Sequence, residues 1–429
     1  MITASRSTMA RMWSILRIRI ALMVVFVLIS SDRSFGYSVL THEEIVDLMW
    51  AQEIRPILLE QYPDLTEDQI REAHAYAYGG SVIQDLGYYP LGNKEFSNLT
   101  HYVRSGDFVL ELIRASRDAN EFAFALGALS HYASDIAGHP AINQSVAIAY
   151  PKLRAKYGIS VRYAQDKTAH LKTEFGFDTL QVAKNRYASQ QYHDFVGFKV
   201  SEPLLERVFP VIYGLELKDV LKNEGLAVGS YRFFISSLIP QMTRVALETH
   251  KKDLIRETPD FARQKFLYRL SRSDYEREAG KTYTKSGIGT RVLATILRCI
   301  PKVGPLKGMG FNNPTPHTED LYIKSINVAT NHYRTFLEEA RANTLVLPNC
   351  DLDSGELTKA EEYSLADESY ASLLAKLAIG KFNQTSPQLR DNILDYYSGT
   401  TLPIKTKREA SHSQEVLMNL NQLKSSTLQ

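Results

Sequence analysis

The sequence predicts an all-α protein, and three observations lead to that prediction. Apolar residues recur at three- and four-residue spacing over long segments, whereas alternating runs of Val, Ile and Thr between hairpin turns are scarce. A composition of 44% apolar and 23% charged residues is typical of a globular protein and excludes a disordered or collagen-like chain. The helical spacing occurs in five segments: Glu43–Arg55, Thr66–Tyr78, Asp107–Ile113, Ala119–Ile136 and Ala329–Thr344.

Local signals mark where these helices begin and end. Thr41 and Thr66 each precede acidic residues, which favours a helix start at both positions. Gly and Pro predict loops at Gly79–Gly80, at Pro90–Lys94 and across Gly304–Pro316.

The first 36 residues predict a secretory signal peptide. Arginines precede the apolar run Ile20–Ile29, and a polar stretch follows it. Ser34 and Gly36 then place small residues at positions −3 and −1 of a cut before Tyr37. Because a membrane-spanning helix needs roughly 20 apolar residues, an uncleaved anchor is the less favoured alternative. We therefore expect an exported protein, periplasmic or extracellular.

The remaining chain divides into an N-terminal domain over residues 37–200, with an extension to about 245 left open, and a helical C-terminal region over residues 201–429 whose role the sequence does not assign. A formal net charge of +2 gives no bulk electrostatic signature of nucleic-acid binding. Residues 251–310 are rich in Lys and Arg, which is compatible with peripheral membrane contact, although a solvated helical face is the favoured interpretation. Export permits a disulfide between Cys299 and Cys350 without requiring one.

The spacing of histidines and carboxylates points to a metal site. Residues four apart on a helix differ by roughly 40° and share a face, so His131, Asp135 and His139 would lie together. His170 and Glu174 have the same spacing. Such pairs also arise by chance on helix surfaces, but the apolar stretch Phe122–Ser130 indicates that this helix is buried. Buried imidazoles and carboxylates are stabilised by a cation such as zinc.

These residues resemble the zinc-dependent phospholipase C and single-strand nuclease superfamily, nearest to the catalytic domain of glycosylphosphatidylinositol-specific phospholipase D. The most telling stretches are Phe96–Tyr102 and Gly127–Asp135. The four-residue interval between Asp135 and His139 is similar to the glycosylphosphatidylinositol-type members. Pro140 predicts that the helix kinks or ends just after His139.

The resemblance implies up to three zinc ions, with Asp135 bridging two of them. The first ion would be held by Asp85, His101, His131 and Asp135, the second by His139, His170 and Glu174, and the third by His42, Asp135 and the mature N-terminal residue Tyr37. Asp85 would be the general base, and a zinc-bound hydroxide would attack the phosphodiester. The other histidines are expected to be surface or core residues: His74, His193, His250, His317, His332 and His412.

The expected function is therefore hydrolysis of phosphodiesters, with phospholipids as the favoured substrates. Two alternatives remain open, a single-strand nuclease of the same fold and a noncatalytic metal-stabilised binding protein. The pair Tyr88–Tyr89 fits either substrate class, because tyrosines can stack a base or surround a choline headgroup.

Overall fold

A computed structural model describes residues 39–183, 197–235, 313–400 and 409–426. It confirms the all-α class. The predicted signal peptide, Tyr37, Cys299 and the basic segment 251–310 lie outside the described residues. Cys350 is buried.

The described residues form fifteen α-helices, two short helical segments of other types and one β-hairpin. In chain order these are α1 Val39–Met49, a π-helical segment Trp50–Ile54, α2 Arg55–Gln61, α3 Glu67–Ser81, a 3-10 helix Ile83–Tyr88, α4 Lys94–Tyr102, α5 Ser105–Ala115, α6 Ala119–Ala149, α7 Pro151–Tyr157, α8 Lys167–Ala183, α9 Glu202–Tyr213, α10 Leu217–Val220, α11 Glu224–Phe233, α12 Pro316–Arg341, β1 Cys350–Asp351, β2 Glu356–Leu357, α13 Ser364–Ile379, α14 Pro387–Tyr396 and α15 Glu409–Ser425.

Three of the five segments predicted as helical are helical throughout. Of the other two, Thr66–Tyr78 begins at the residue that caps α3, and Ala329–Thr344 runs past the end of α12 at Arg341. Thr66 caps α3 as predicted: its side chain accepts from the Gln69 amide, and the Gln69 side chain accepts from the Thr66 amide. The prediction for Thr41 was wrong, because α1 already includes Val39. Thr41 instead contacts Asp178 on α8.

The predicted loop at Gly79–Gly80 was also wrong, since α3 continues through both residues to Ser81. These glycines permit close packing of backbones. A Cβ on Gly80 would lie 1.9 Å from the Phe124 carbonyl oxygen of α6, and a Cβ on Gly127 would lie 2.1 Å from the Ala77 carbonyl oxygen of α3. Only glycine therefore allows α3 and α6 to approach this closely.

The long helix α6 runs through the centre of the fold. It does not end at Pro140, which was one of the two predicted outcomes, but continues to Ala149. Proline lacks the N–H that would bond to the Ile136 carbonyl, and this loss is tolerated within a helix that is packed on several sides. The buried face of α6 packs against α3, α5, α8 and α12.

Residues far along the chain pack on the same core. Tyr333 of α12 donates a hydrogen bond to the Leu126 carbonyl of α6 over 2.9 Å, and Tyr322 lies 2.6 Å from the Thr41 hydroxyl. The hairpin β1–β2 pairs Cys350 with Leu357 in an antiparallel register. None of the helices in the described ranges is both long and apolar enough to cross a membrane.

Candidate metal centre

The first group of ligand-type side chains comes from three elements. Asp85 lies in the 3-10 helix, His101 in the last turn of α4, and His131 on the buried face of α6. Their candidate ligand atoms all lie within 4.8 Å of one another. The Nε2 atom of His101 is 3.3 Å from Asp85 Oδ1. All three residues are at most 1% exposed.

Asp135 lies between two sets of histidines. Its Oδ2 atom is 3.0 Å from Nε2 of His131 and 3.6 Å from Nε2 of His101. Its Oδ1 atom is 3.4 Å from Nε2 of His42 and 3.6 Å from Nε2 of His139. Each carboxylate oxygen therefore faces a different pair of imidazoles, which is the arrangement that a bridging carboxylate requires.

His42 of α1 belongs to this arrangement as well. Its ring stacks on that of His131 with centroids 4.3 Å apart, and His42, His131 and Asp135 bring ligand atoms within 4.8 Å of one another. Burial and the imidazole of His131 lower the pKa of His42 to about 3. A neutral imidazole is the form that binds a metal ion.

The second group consists of His139, His170 and Glu174. One turn of α6 separates His139 from Asp135, and one turn of α8 separates His170 from Glu174. The Nδ1 atom of His170 is 2.8 Å from Glu174 Oε1. Burial, together with the carboxylates of Asp85 and Asp353, raises the pKa of Glu174 well above its usual range. A cation at this position would offset that unfavourable charge burial.

Hydrogen bonds outside the centre fix how the imidazoles point. His101 donates from Nδ1 to the Ser97 carbonyl over 2.8 Å, and His131 donates from Nδ1 to the Ser81 carbonyl over 2.9 Å. His170 donates from Nε2 to Oδ1 of Asn143 over 2.9 Å. The second nitrogen of each ring then carries its lone pair toward the centre.

The inward atoms are buried and form no hydrogen bonds. They include Nε2 of His101 and His131, Nδ1 of His170, and both carboxylate oxygens of Asp85, Asp135 and Glu174. Buried polar atoms without hydrogen bonds are destabilising unless another partner binds them. Imidazole nitrogens and carboxylate oxygens are ligands of zinc, so the residues present fit zinc ions.

The structure places the remaining predicted residues as follows. Tyr37 lies outside the described residues, but the chain that follows it is held to α8 by a hydrogen bond from the Leu40 amide to Asp178. Tyr88 is buried with its ring 5.7 Å from that of His101. Tyr89 packs edge-on against Tyr231 in the core.

The histidines predicted to lie outside the site do so wherever the structure describes them. His317 and His332 are exposed. His74 is a core residue that stacks on Trp50 and donates to Asp47 over 3.0 Å. The side chains of His193, His250 and His412 lie outside the described residues.

Sequence reasoning missed Asn143 and Asp353. Asn143 follows His139 by one turn of α6, a spacing that was available as a signal. Asp353 adjoins the centre from a hairpin more than 200 residues along the chain from His139, and no local pattern marks it.

Comparison with known proteins agrees with this geometry. Residues 41–223 match the family model described as zinc dependent phospholipase C. No curated protein and no solved structure matches the chain. The proposed similarity to the glycosylphosphatidylinositol-specific enzyme stays a prediction. The matched range contains all eight described ligand-type residues, and it supports the zinc-dependent phospholipase C family for this part of the chain.

Proposed function

We propose that this protein is a zinc-dependent phosphodiesterase that hydrolyses phospholipids. One observation carries the proposal: three buried groups of imidazoles and carboxylates meet around Asp135 with ligand atoms facing inward. The family match over residues 41–223 supports zinc as the metal and a phospholipid as the substrate class.

The metal ions and the residues of the chain have different tasks in this proposal. Clustered divalent ions, when bound, would polarise the phosphoryl oxygens and favour ionisation of water. The three groups of ligand-type residues would hold these ions, with Asp135 shared between groups. Asp85 has two buried oxygens free of hydrogen bonds, so one can accept a proton from the attacking water while the other remains a ligand. The water oxygen bonds to phosphorus, and the leaving alkoxide takes a proton from solvent.

An assay of purified protein that starts at Tyr37 tests the proposal. Phosphatidylcholine, phosphatidylinositol lipids and single-stranded DNA are each offered with zinc and after zinc removal. We expect zinc-dependent lipid hydrolysis. Release of diacylglycerol identifies C-type cleavage, and release of phosphatidic acid identifies D-type cleavage. Cleavage of DNA alone supports the nuclease alternative, and zinc binding without any hydrolysis supports the noncatalytic alternative.

The proposal includes export, which rests on the leader sequence alone. The predicted cut exposes the α-amino group of Tyr37, whose ordinary pKa of about 7.7–8.0 allows it to bind zinc near neutral pH. Mass spectrometry of the secreted protein should show Tyr37 as its first residue. Any other start contradicts Tyr37 as a ligand. Full-length protein retained in the cytoplasm contradicts export.

A further inference from the structure

The hairpin β1–β2 lies against the metal centre although it is outside the family match. Its tip, the turn 351–355, contacts the chain at α4 and α6. The Leu352 amide donates to the carbonyl of His101 over 3.2 Å. Gly355 has a φ of +76°, and a Cβ there would lie 2.4 Å from the Ile136 carbonyl oxygen of α6. This packing fixes the turn beside the segment of α6 that carries His139.

Both histidines of the second group are connected to this turn, His139 by its approach to Asp353 and His170 through Asn143. Asn143 accepts from Nε2 of His170 over 2.9 Å and donates from Nδ2 to the Asp353 carbonyl over 2.9 Å. The Oδ1 atom of Asp353 lies 3.8 Å from Nδ1 of His139. Because Nε2 of His139 faces Asp135, its Nδ1 is the outer nitrogen of the ring.

The Asp353 carboxylate is itself held in place. It is 4% exposed, and its Oδ2 atom accepts a hydrogen bond from the Tyr102 hydroxyl over 2.9 Å and a second one from the Tyr363 hydroxyl. Its amide donates to Oδ1 of Asp351 over 3.0 Å. One carboxylate oxygen is thus fixed by two phenols, and the other faces a candidate zinc ligand. A buried carboxylate is unfavourable without such partners.

We propose that Asp353 is a positioning residue for the second metal group. Its carboxylate acts on the His139 ring through its charge, at an ion-pair distance of 3.8 Å, and its backbone carbonyl orients His170 through Asn143. Outer carboxylates of this kind fix the ring orientation of metal-binding histidines and raise their basicity. Asp353 is not placed among the ligands themselves, because the group within 4.8 Å consists of His139, His170 and Glu174. This inference rests on the proposed function, since it assumes that the second group binds zinc.

The test compares Asp353→Asn with the full-length mature protein by zinc titration against a competing chelator. Asparagine keeps the shape of the side chain and an acceptor for the tyrosines but removes the charge. We expect one ion to bind about 10–100-fold more weakly, with the others unchanged. The visible spectrum of cobalt-substituted protein should change for that ion alone. Asp395→Asn, at an exposed position on α14, is the matched control and should bind zinc as the wild type does.

Two outcomes overturn the inference. One is equal affinity of every ion in Asp353→Asn and the wild type, and the other is uniform weakening of all ions, which indicates a role in folding. If Asp353→Asn does not fold, Tyr363→Phe decides the question, because it removes one hydrogen bond to Asp353 and should weaken the same single ion. A wild-type protein that binds no zinc contradicts the proposed function instead.

Discussion

Asp135 is the residue on which the candidate centre depends most. Its two oxygens face different imidazole pairs, and the nearby histidines lower the pKa of its carboxyl against the raising effect of burial. We expect Asp135→Asn to lose more than one zinc ion, because a carboxamide cannot bridge two cations as a carboxylate does. Elemental analysis of purified protein measures the loss. His332→Ala, at an exposed position, should keep the wild-type zinc content. Loss of a single ion would contradict the bridge.

His74 allows the effect of folding to be separated from that of metal binding. Its ring stacks on Trp50 and bonds to Asp47, outside the three ligand groups. We therefore expect His74→Ala to reduce the free energy of unfolding by roughly 1–3 kcal/mol, the usual effect of leaving a buried polar partner unsatisfied, and to keep the zinc content. Thermal unfolding and elemental analysis together check this. Zinc loss in the folded variant would show that His74 belongs to the centre.

The raised pKa of Asp351 predicts that the stability of the fold depends on pH. Burial and the neighbouring Asp353 raise its pKa to about 7, compared with about 3.9 in an unfolded chain. Since the folded state binds this proton more tightly, the stability that Asp351 contributes is complete below about pH 4 and is lost as the pH rises to about 7.

Asp351→Asn should abolish this loss of folding stability at rising pH. We expect its melting temperature, relative to the wild type, to rise between pH 4.5 and pH 7.5, by the equivalent of roughly 1 kcal/mol per pH unit at most. Asp395→Asn provides the exposed control. A difference from the wild type that stays constant over this pH range would argue against a proton held by Asp351.

The sequence predicted the candidate ligands better than the residues that hold them from outside the centre. The reason is that some of these outer residues, such as Asp353, lie far from the candidate ligands along the chain. His131, Asp135 and His139 recur at the helical period, so a local pattern places them on one face. Asp353 acts across more than 200 residues, and its contact with His139 exists only because the hairpin packs on α6. Similarly, Thr41 looked like a cap by its neighbours, yet it lies within α1 and bonds to Asp178, 137 residues away.

At the scale of the elements, the crossing of α3 and α6 positions His131. The carbonyl of Ser81, at the end of α3, accepts the hydrogen bond from His131 Nδ1. Glycine pairs usually mark loops, and here the sequence could not show that a second helix passes against them. Pro140 was misleading for a related reason, because tertiary packing of α6 overrides the local preference for a helix end.

Gly127→Ala tests this crossing. The new Cβ would lie 2.1 Å from the Ala77 carbonyl oxygen and 2.9 Å from the Ser81 amide nitrogen, so α3 must shift away from α6. We expect a loss of about 1–3 kcal/mol in unfolding free energy and weaker zinc binding through the displaced Ser81 carbonyl. Denaturant unfolding and chelator competition measure the two effects.

Gly229→Ala is the matched control for that substitution. This glycine lies within α11, and a Cβ there would meet no atom within 4 Å. Because alanine is the better helix former, we expect unchanged or slightly higher stability, by up to about 1 kcal/mol. Equal destabilisation by both substitutions would mean that close packing is not what Gly127 provides.

At the scale of the whole molecule, the described parts share one hydrophobic core. Ile326, Ala329, Tyr333 and Leu337 of α12 are fully buried and belong to the same cluster as the apolar residues of α6. The proposed division at residue 200 stays a prediction. The packing indicates that the C-terminal region is needed for the metal centre, because α12 covers α6 and the hairpin holds His139 and His170.

A chain of residues 37–235 tests this dependence. Without α12, the apolar residues of α6 that α12 covers would be exposed to water, and without the hairpin Asn143 would lose its partner at Asp353. We expect this fragment to unfold at a lower temperature, without a cooperative transition, and to bind less zinc than the full mature protein. Circular dichroism and elemental analysis measure both properties. Co-expression with residues 313–429 as a separate chain should restore zinc binding, since α12 and the hairpin both lie in that piece. If residues 37–235 alone fold cooperatively and bind the full complement of zinc, the C-terminal region is an accessory and the centre does not depend on it.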